Sequence, residues 1–202
     1  MLRLACIVEG DGECEAVPIL IRRIAQSLDP ALVPAVNPVL RVPAARLIKQ
    51  GELERSVELA ARRLGGAGGI LIVLDCDDGC PANEGPALLQ RAITARSDLP
   101  IAVVLAKREY ESWFLAAAKS LRGQRGLAQD LTAPPDPEAI RGAKEWLSER
   151  MQTPHGYSET SDQPALTALF DMQMARCSDS FDKCCREIER LLTFQQNAAE
   201  HP

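Results

Sequence analysis

The sequence predicts an α/β protein: a parallel sheet of about four strands, covered by helices on both faces, with a C-terminal helical extension. Three observations carry this. Short apolar runs alternate with helix-period patterns through roughly the first 115 residues. The runs are apolar at nearly every position rather than at every second one, as expected of strands buried on both faces. Beyond residue 120 such runs stop, and helical patterns broken by Gly and Pro take over. We therefore divide the chain into a core over residues 1–120 and a helical extension over 121–202, packed on that core.

The elements follow in order. Leu2–Val8 is the first strand. Val17, Leu20, Ile21, Ile24 and Leu28 recur at one-face helical spacing. Val36–Val42 is a weaker strand, and Pro38, with no N–H to donate, assigns it to a sheet edge. Residues 44–64 carry an apolar stripe (Leu53, Val57, Ala60, Ala61, Leu64) and are stopped by "GGAGG". Ile70–Leu74 and Ile101–Ala106 are the third and fourth strands, with a helix over 84–96 between them and another starting near Glu109 or Glu111. Helices are expected over 136–151, 163–174 and 178–194, the last on the stripe Phe181, Cys184, Cys185, Ile188, Leu191 and Leu192. The final residues are expected to fray.

Composition excludes several classes. The chain has 202 residues, 46% of them hydrophobic and 25% charged. No apolar stretch approaches the roughly 20 residues that span a bilayer. "MLRLACIVEG" turns acidic too early for a secretory signal, so a cytoplasmic location is expected. Seven cysteines without a C-x₂-C pair, and only two histidines, give no zinc site; reduced, buried thiols are the simpler reading. A net charge of −5 argues against gripping nucleic acid by bulk electrostatics. Binding would need a local basic patch, a bound cation or a partner.

The acids are concentrated where strands end. Glu9, Asp11 and Glu13 follow the first strand; Asp75, Asp77 and Asp78 the third; Lys107, Arg108, Glu109 and Glu111 the fourth. Open parallel sheets bind ligands beyond these carboxyl ends. If the first and third strands are neighbours, two acidic groups face each other. Like charges about 4 Å apart repel by about 1 kcal/mol in water and by more where shielded. Such groups either raise their pKa values or take up a cation, and short-spaced oxygens suit Mg²⁺ or Mn²⁺. Acids also cap helices, and for any single residue that explanation serves as well. Asp78, in "DDG", fits a turn. Trp113 and Phe114 fit core packing, and "SDQP" (161–164) fits either a helix start or partners reaching back over the sheet end. Lys119, Arg122 and Arg125 fall in one flexible, solvated segment; Arg108 lies closer to the acids and is the better phosphate contact.

Rival motifs fail on spacing. "EGDGE" has Glu15 where a dinucleotide fingerprint needs its third glycine, and there is no P-loop. "DCDDGC" has Gly79 at a ligand position of an EF-hand loop and no glutamate twelfth. No G-x-S-x-G supports a serine triad.

"IVEGDGE" followed by "LIVLDCDD" resembles the Toprim fold of topoisomerases, primases and overcoming-lysogenization-defect (OLD) nucleases. More closely, "VEGDGE", "LDCDDGCPA", "VVLAKREYESWFLA", "PPDPEAIRGAKEWL" and "YSETSDQPALTALFDMQMARCSDSFDKC" resemble the bacterial Toprim-like family called domain of unknown function 4276. The resemblance implies that Glu9 is the Toprim glutamate, Asp75 and Asp77 the Asp-x-Asp, and Glu13 the second acid of OLD-type, two-metal sites. It makes Glu9, Glu13, Asp75 and Asp77 the metal ligands, with Mg²⁺ or Mn²⁺ as cofactor. Glu109 or Glu111 corresponds loosely to an acid after the next strand, and Lys107 loosely to a lysine that stabilises a scissile phosphate. The implied activity is two-metal phosphodiester hydrolysis on nucleic acid, in concert with a separate ATPase partner in phage defence. Two further readings stand beside it: a receiver-like phospho-acceptor, for which Glu13 and the long helical tail have no role, and a non-catalytic binding module.

Overall fold

A computed structural model describes residues 2–200, excepting the side chains of 198–200. The expected fraying and His201 lie outside the described residues. Four parallel strands, β1 (Arg3–Val8), β2 (Ala35–Arg41), β3 (Gly69–Cys76) and β4 (Ile101–Lys107), form one sheet in the order β2-β1-β3-β4. The α/β parallel sheet is thus as expected, and β2, with Pro38, is an edge strand. The chain steps from β1 to β2 on one side and then returns to place β3 on the other side of β1. The direction of winding reverses between β1 and β3, and in open parallel sheets such a reversal marks the ligand-binding crevice at the strand carboxyl ends.

Side-chain alternation explains the two cores. In β3, Leu71 and Val73 point into one cluster while Ile70, Ile72 and Leu74 point into the other. The second cluster is covered by α3 (Glu52–Leu64) and α4 (Pro81–Ala95), through Leu53, Val57, Ala60, Ala61, Leu64 and Ala92. The first is covered by α1 (Glu13–Leu28) and by α9 (Asp179–Glu200), whose stripe Phe181, Cys184, Cys185, Ile188, Leu191 and Leu192 is buried throughout. Helices therefore shield both faces. Each fully buried Leu or Ile in such a core contributes about 1.5–3 kcal/mol.

Four expected helices are shorter or broken. Residues 44–64 split into α2 (Ala44–Leu47) and α3, because Gly51 takes a left-handed conformation (φ 82°) just before α3. The 136–151 segment makes a single 3₁₀ turn over Pro137–Ala139 and then α6 (Ala143–Glu149), with Gly142 (φ 70°) between them. The 163–174 segment becomes α7 (Glu159–Leu169) and α8 (Met172–Ala175), separated where Phe170 is extended and Asp171 accepts the N–H groups of Gln173 and Met174 as an N-cap. The helix after β4 is only α5 (Ser112–Ala116).

Trp113 and Phe114 are fully buried, as the core reading expects. They stack edgewise into a cluster with Tyr110, Phe170 and Phe181, and Trp113 Nε1 donates to Ser180 Oγ at 2.8 Å. The segment holding Arg122 and Arg125 is anchored rather than free. Arg122 Nε donates to the Leu131 carbonyl at 2.7 Å, and Arg125 pairs with Asp162 at 2.9 Å. All seven cysteines are free; Cys6, Cys76, Cys184 and Cys185 are buried, whereas Cys80 and Cys177 are exposed. No helix among the described residues is long and apolar enough to cross a membrane.

Candidate active site

The crevice between β1 and β3 gathers acids from four segments. The register Ile7↔Ile72 brings Glu9 and Asp75 just past the last paired rungs of adjacent strands. Glu13 opens α1 and is buried, and its Oε2 accepts the backbone N–H groups of Glu9 (2.8 Å) and Gly10 (3.0 Å). It therefore locks the β1–α1 turn. Burial raises the Glu13 pKa; the two N–H groups oppose this, and the charges of Glu9 and Glu159 reinforce it.

Asp75 Oδ1 accepts the Tyr110 backbone N–H at 2.8 Å, which ties the end of β3 to the loop after β4. The Asp75 pKa lies well above the usual carboxylate value, first from burial and then from repulsion by Glu13 and Glu111; Lys144 opposes the shift and Glu9 adds to it. Glu111 is fully buried. Its Oε1 accepts Tyr157 O–H at 2.8 Å and Gln163 Nε2 at 3.0 Å. Burial pushes its carboxyl up to about 7, against Lys144 and the Tyr157 hydrogen bond.

Four buried side-chain oxygens on or next to these residues have no hydrogen-bond partner among the described residues: Glu9 Oε2, Glu111 Oε2, Ser112 Oγ and Gln163 Oε1. A buried acceptor without a donor costs about 1–3 kcal/mol, more when charged. The cationic counterweight is Lys144, half-buried in α6, with Nζ 3.4 Å from Glu159 Oε2. Burial alone would lower its pKa, but Glu111, Asp75, Glu159 and Glu109 together raise it, so it stays charged.

The structure thus brings together Glu9, Glu13, Asp75 and Glu111, all singled out by the sequence. Glu109 stands at the margin, its Oε2 accepting the Lys144 N–H at 3.1 Å. Asp77 has an exposed side chain, and its backbone carbonyl, not its carboxylate, accepts from Arg108 Nη1. Asp78 pairs with Arg108 at 3.1 Å and also with Arg141. Arg108, at φ 69°, thereby braces the β3–α4 turn. Asp11 pairs with Arg41 on the surface. Lys107 is paired in register with Cys76, while Asp75 is paired with Ala106. Lys107 and Asp75 therefore belong to opposite faces of the sheet. Of the "SDQP" pair, Gln163 does reach back, to Glu111, whereas Asp162 caps its own helix start through the Ser158 N–H at 2.9 Å. Lys144, Tyr157 and Glu159 were not legible as site residues; the signal available was their presence in stretches that carry the family resemblance.

The oxygen-only donors and the unpartnered Glu9 and Glu111 atoms fit a hard divalent cation in kind. Among the described residues no group of three or more His, Cys, Asp or Glu side chains forms a ready-made metal cluster. Mg²⁺ asks for less, one or two carboxylates completed by water.

The family model described as "Domain of unknown function (DUF4276)" matches residues 8–189, and the chain belongs to that family. No curated protein and no solved structure gives a match.

Proposed function

We propose that this member of the DUF4276 family is a divalent-metal-dependent phosphoryl-transfer enzyme that hydrolyses phosphodiesters. One observation carries the reading: buried, unpartnered carboxylate oxygens, Oε2 of the half-buried Glu9 and Oε2 of the buried Glu111, at the point where the sheet reverses its winding. Such oxygens are satisfied by a proton or by a cation. The resemblance of "IVEGDGE" and "LIVLDCDD" to Toprim and OLD-type sequences supports the cation.

Glu9 and Asp75 would hold Mg²⁺ or Mn²⁺, which supplies Lewis acidity toward a phosphoryl oxygen and toward bound water. Glu13 keeps the Glu9 turn in place through its two backbone hydrogen bonds. Glu111, with Oε1 fixed by Tyr157 and Gln163, would use its unpartnered Oε2 as a proton acceptor for water. Lys144 meets the negative charge that grows on the phosphoryl oxygens. Asp77 is left out of this assignment because its side chain faces solvent. Nucleic acid as substrate, an ATPase partner and phage defence complete the proposal, on the resemblance alone.

The test is cleavage of single- and double-stranded DNA and RNA with Mg²⁺ or Mn²⁺. Glu9→Gln, Asp75→Asn and Lys144→Ala should each lower the rate by about 10²–10³-fold. Wild-type protein that binds metal yet cleaves none of these substrates would replace the enzyme reading with a binding module. Cleavage that survives both acid substitutions would refute the site.

A further inference from the structure

Lys107 points away from the acids, which raises the question of what it faces. It ends β4 on the same side of the sheet as Leu105 and lines a cavity of about 310 Å³ between the first turns of α4 and α9. Lys183 and Arg186, one turn apart on α9, line the same cavity. Arg186 Nε donates to Asp182 at 2.9 Å, but neither Lys107 nor Lys183 forms an ion pair among the described residues. The acids present are Glu138 and Asp179. Glu138 is already engaged: its Oε1 accepts from Ser178 Oγ and from the Ser180 N–H at 2.9 Å. An adjoining cavity of about 350 Å³ shares Lys107, Glu138 and Asp179 and extends the surface to Arg108.

We propose that this cavity, framed by Lys107, Lys183 and Arg186, is a binding site for a phosphate ester. Lys107 and Lys183, without ion partners of their own among the described residues, repel each other across the shared space unless an anion joins them. Two lysines and an arginine from two elements suit a multiply charged tetrahedral oxyanion, which accepts from each without demanding one plane. The volume is at the small end of ligand pockets, enough for a phosphate and part of what carries it. The lining has no aromatic ring to stack a base, so the phosphate rather than a nucleobase is recognised. The lining sets three basic side chains against the carboxylates of Glu138 and Asp179, a locally positive balance within a chain of net −5. The site goes beyond the acid crevice, and its occupation does not require metal.

The experiment keeps the two sites apart by working in EDTA. Inorganic phosphate, adenosine monophosphate and a short oligothymidylate are titrated into the full chain, with calorimetry and thermal melting as readouts. Phosphate should bind and raise the melting temperature. Lys183→Ala should weaken binding about tenfold, Lys183→Glu should abolish it, and Lys119→Ala, an exposed lysine elsewhere, should leave it unchanged. Circular dichroism verifies that the variants fold, and Lys107→Gln provides a second, independent disruption. Tighter binding of adenosine monophosphate than of the oligonucleotide identifies a phosphomonoester ligand; the reverse identifies a phosphodiester backbone; either upholds the site. No phosphate binding, binding indifferent to Lys183→Glu, or binding lost in Lys144→Ala instead would overturn it.

Discussion

Gln163 donates its side-chain N–H to Glu111 Oε1 at 3.0 Å, joining α7 to the start of α5 across a gap of 52 residues in sequence. The amide fixes one carboxylate oxygen and leaves the other, Glu111 Oε2, without a partner. Glu111 is therefore held in position without being neutralised, and its protonation becomes coupled to folding.

That coupling sets a pH dependence. In the metal-free protein Glu111 has its pKa raised from 4.5 to about 7. A raised acid contributes stability that is complete below its unfolded value and is lost as pH climbs through the folded value. Glu13 and Asp75 are shifted in the same direction. Stability in EDTA should therefore fall between about pH 4.5 and pH 7, with about 3 kcal/mol as the upper limit for Glu111 alone. Glu111→Gln keeps an acceptor for Tyr157 and Gln163 and should flatten the profile. Urea denaturation at a series of pH values measures it.

Divalent metal should reverse this loss. At a hundredfold excess over Kd the gain is about 2.7 kcal/mol, equivalent to roughly 5–10 °C in Tm for a chain of this size. Glu9→Gln and Asp75→Asn should each remove most of the gain while raising the metal-free Tm, because each removes a crowded negative charge. Melting curves with and without Mg²⁺ or Mn²⁺ decide it.

Two glycines in the β1–α1 turn should respond differently to alanine. At Gly12 the backbone is already helical (φ −64°, ψ −38°), so the obstacle is space alone. A Cβ there would press on the backbone carbonyl of Glu159 and on Gln163 Oε1. A carbonyl in the first turn of α7 cannot swing aside, and Gly12→Ala should cost about 1–3 kcal/mol. At Gly10 the obstruction is the carboxylate tip of Glu159, which rotates away, so Gly10→Ala should cost well under half as much. Paired denaturation curves give the comparison.

Trp113→Phe retains a ring in the aromatic cluster but removes the donor to Ser180 Oγ. A loss of about 1–3 kcal/mol is expected from the missing hydrogen bond and the space left by the smaller ring. In the Trp113→Phe background, Ser180→Ala should cost less than it does alone, a coupling that a double-mutant cycle measures.

Sequence reached far where the physics is local. The strands were legible because a buried parallel strand is apolar at every position, as in Ile70–Leu74, and α9 because its stripe repeats at helical spacing. The convergence of Glu9 with Asp75 needed only that β1 and β3 be neighbours. The broken helices were less legible. A left-handed glycine such as Gly51 or Gly142 stops a helix that the apolar pattern alone would continue. Lys107 illustrates a different limit: which face it takes depends on its pairing with Cys76, and no run of residues records a register between strands. Lys144 lies in an expected helix and Tyr157 in the loop beyond it, and neither position carries a local signal of a site. Their role is set by tertiary packing.

The hydrophobic cluster beneath the crevice mixes Val17 and Leu20 from the first half of the chain with Leu166, Phe181 and Ile188 from the second. An engineer who wished to graft these acids onto another scaffold would have to transplant the tail as well. Without it, α1 would present a bare oily flank, Glu111 would lose both of its donors, and the grafted strands would aggregate before any chemistry could be assayed.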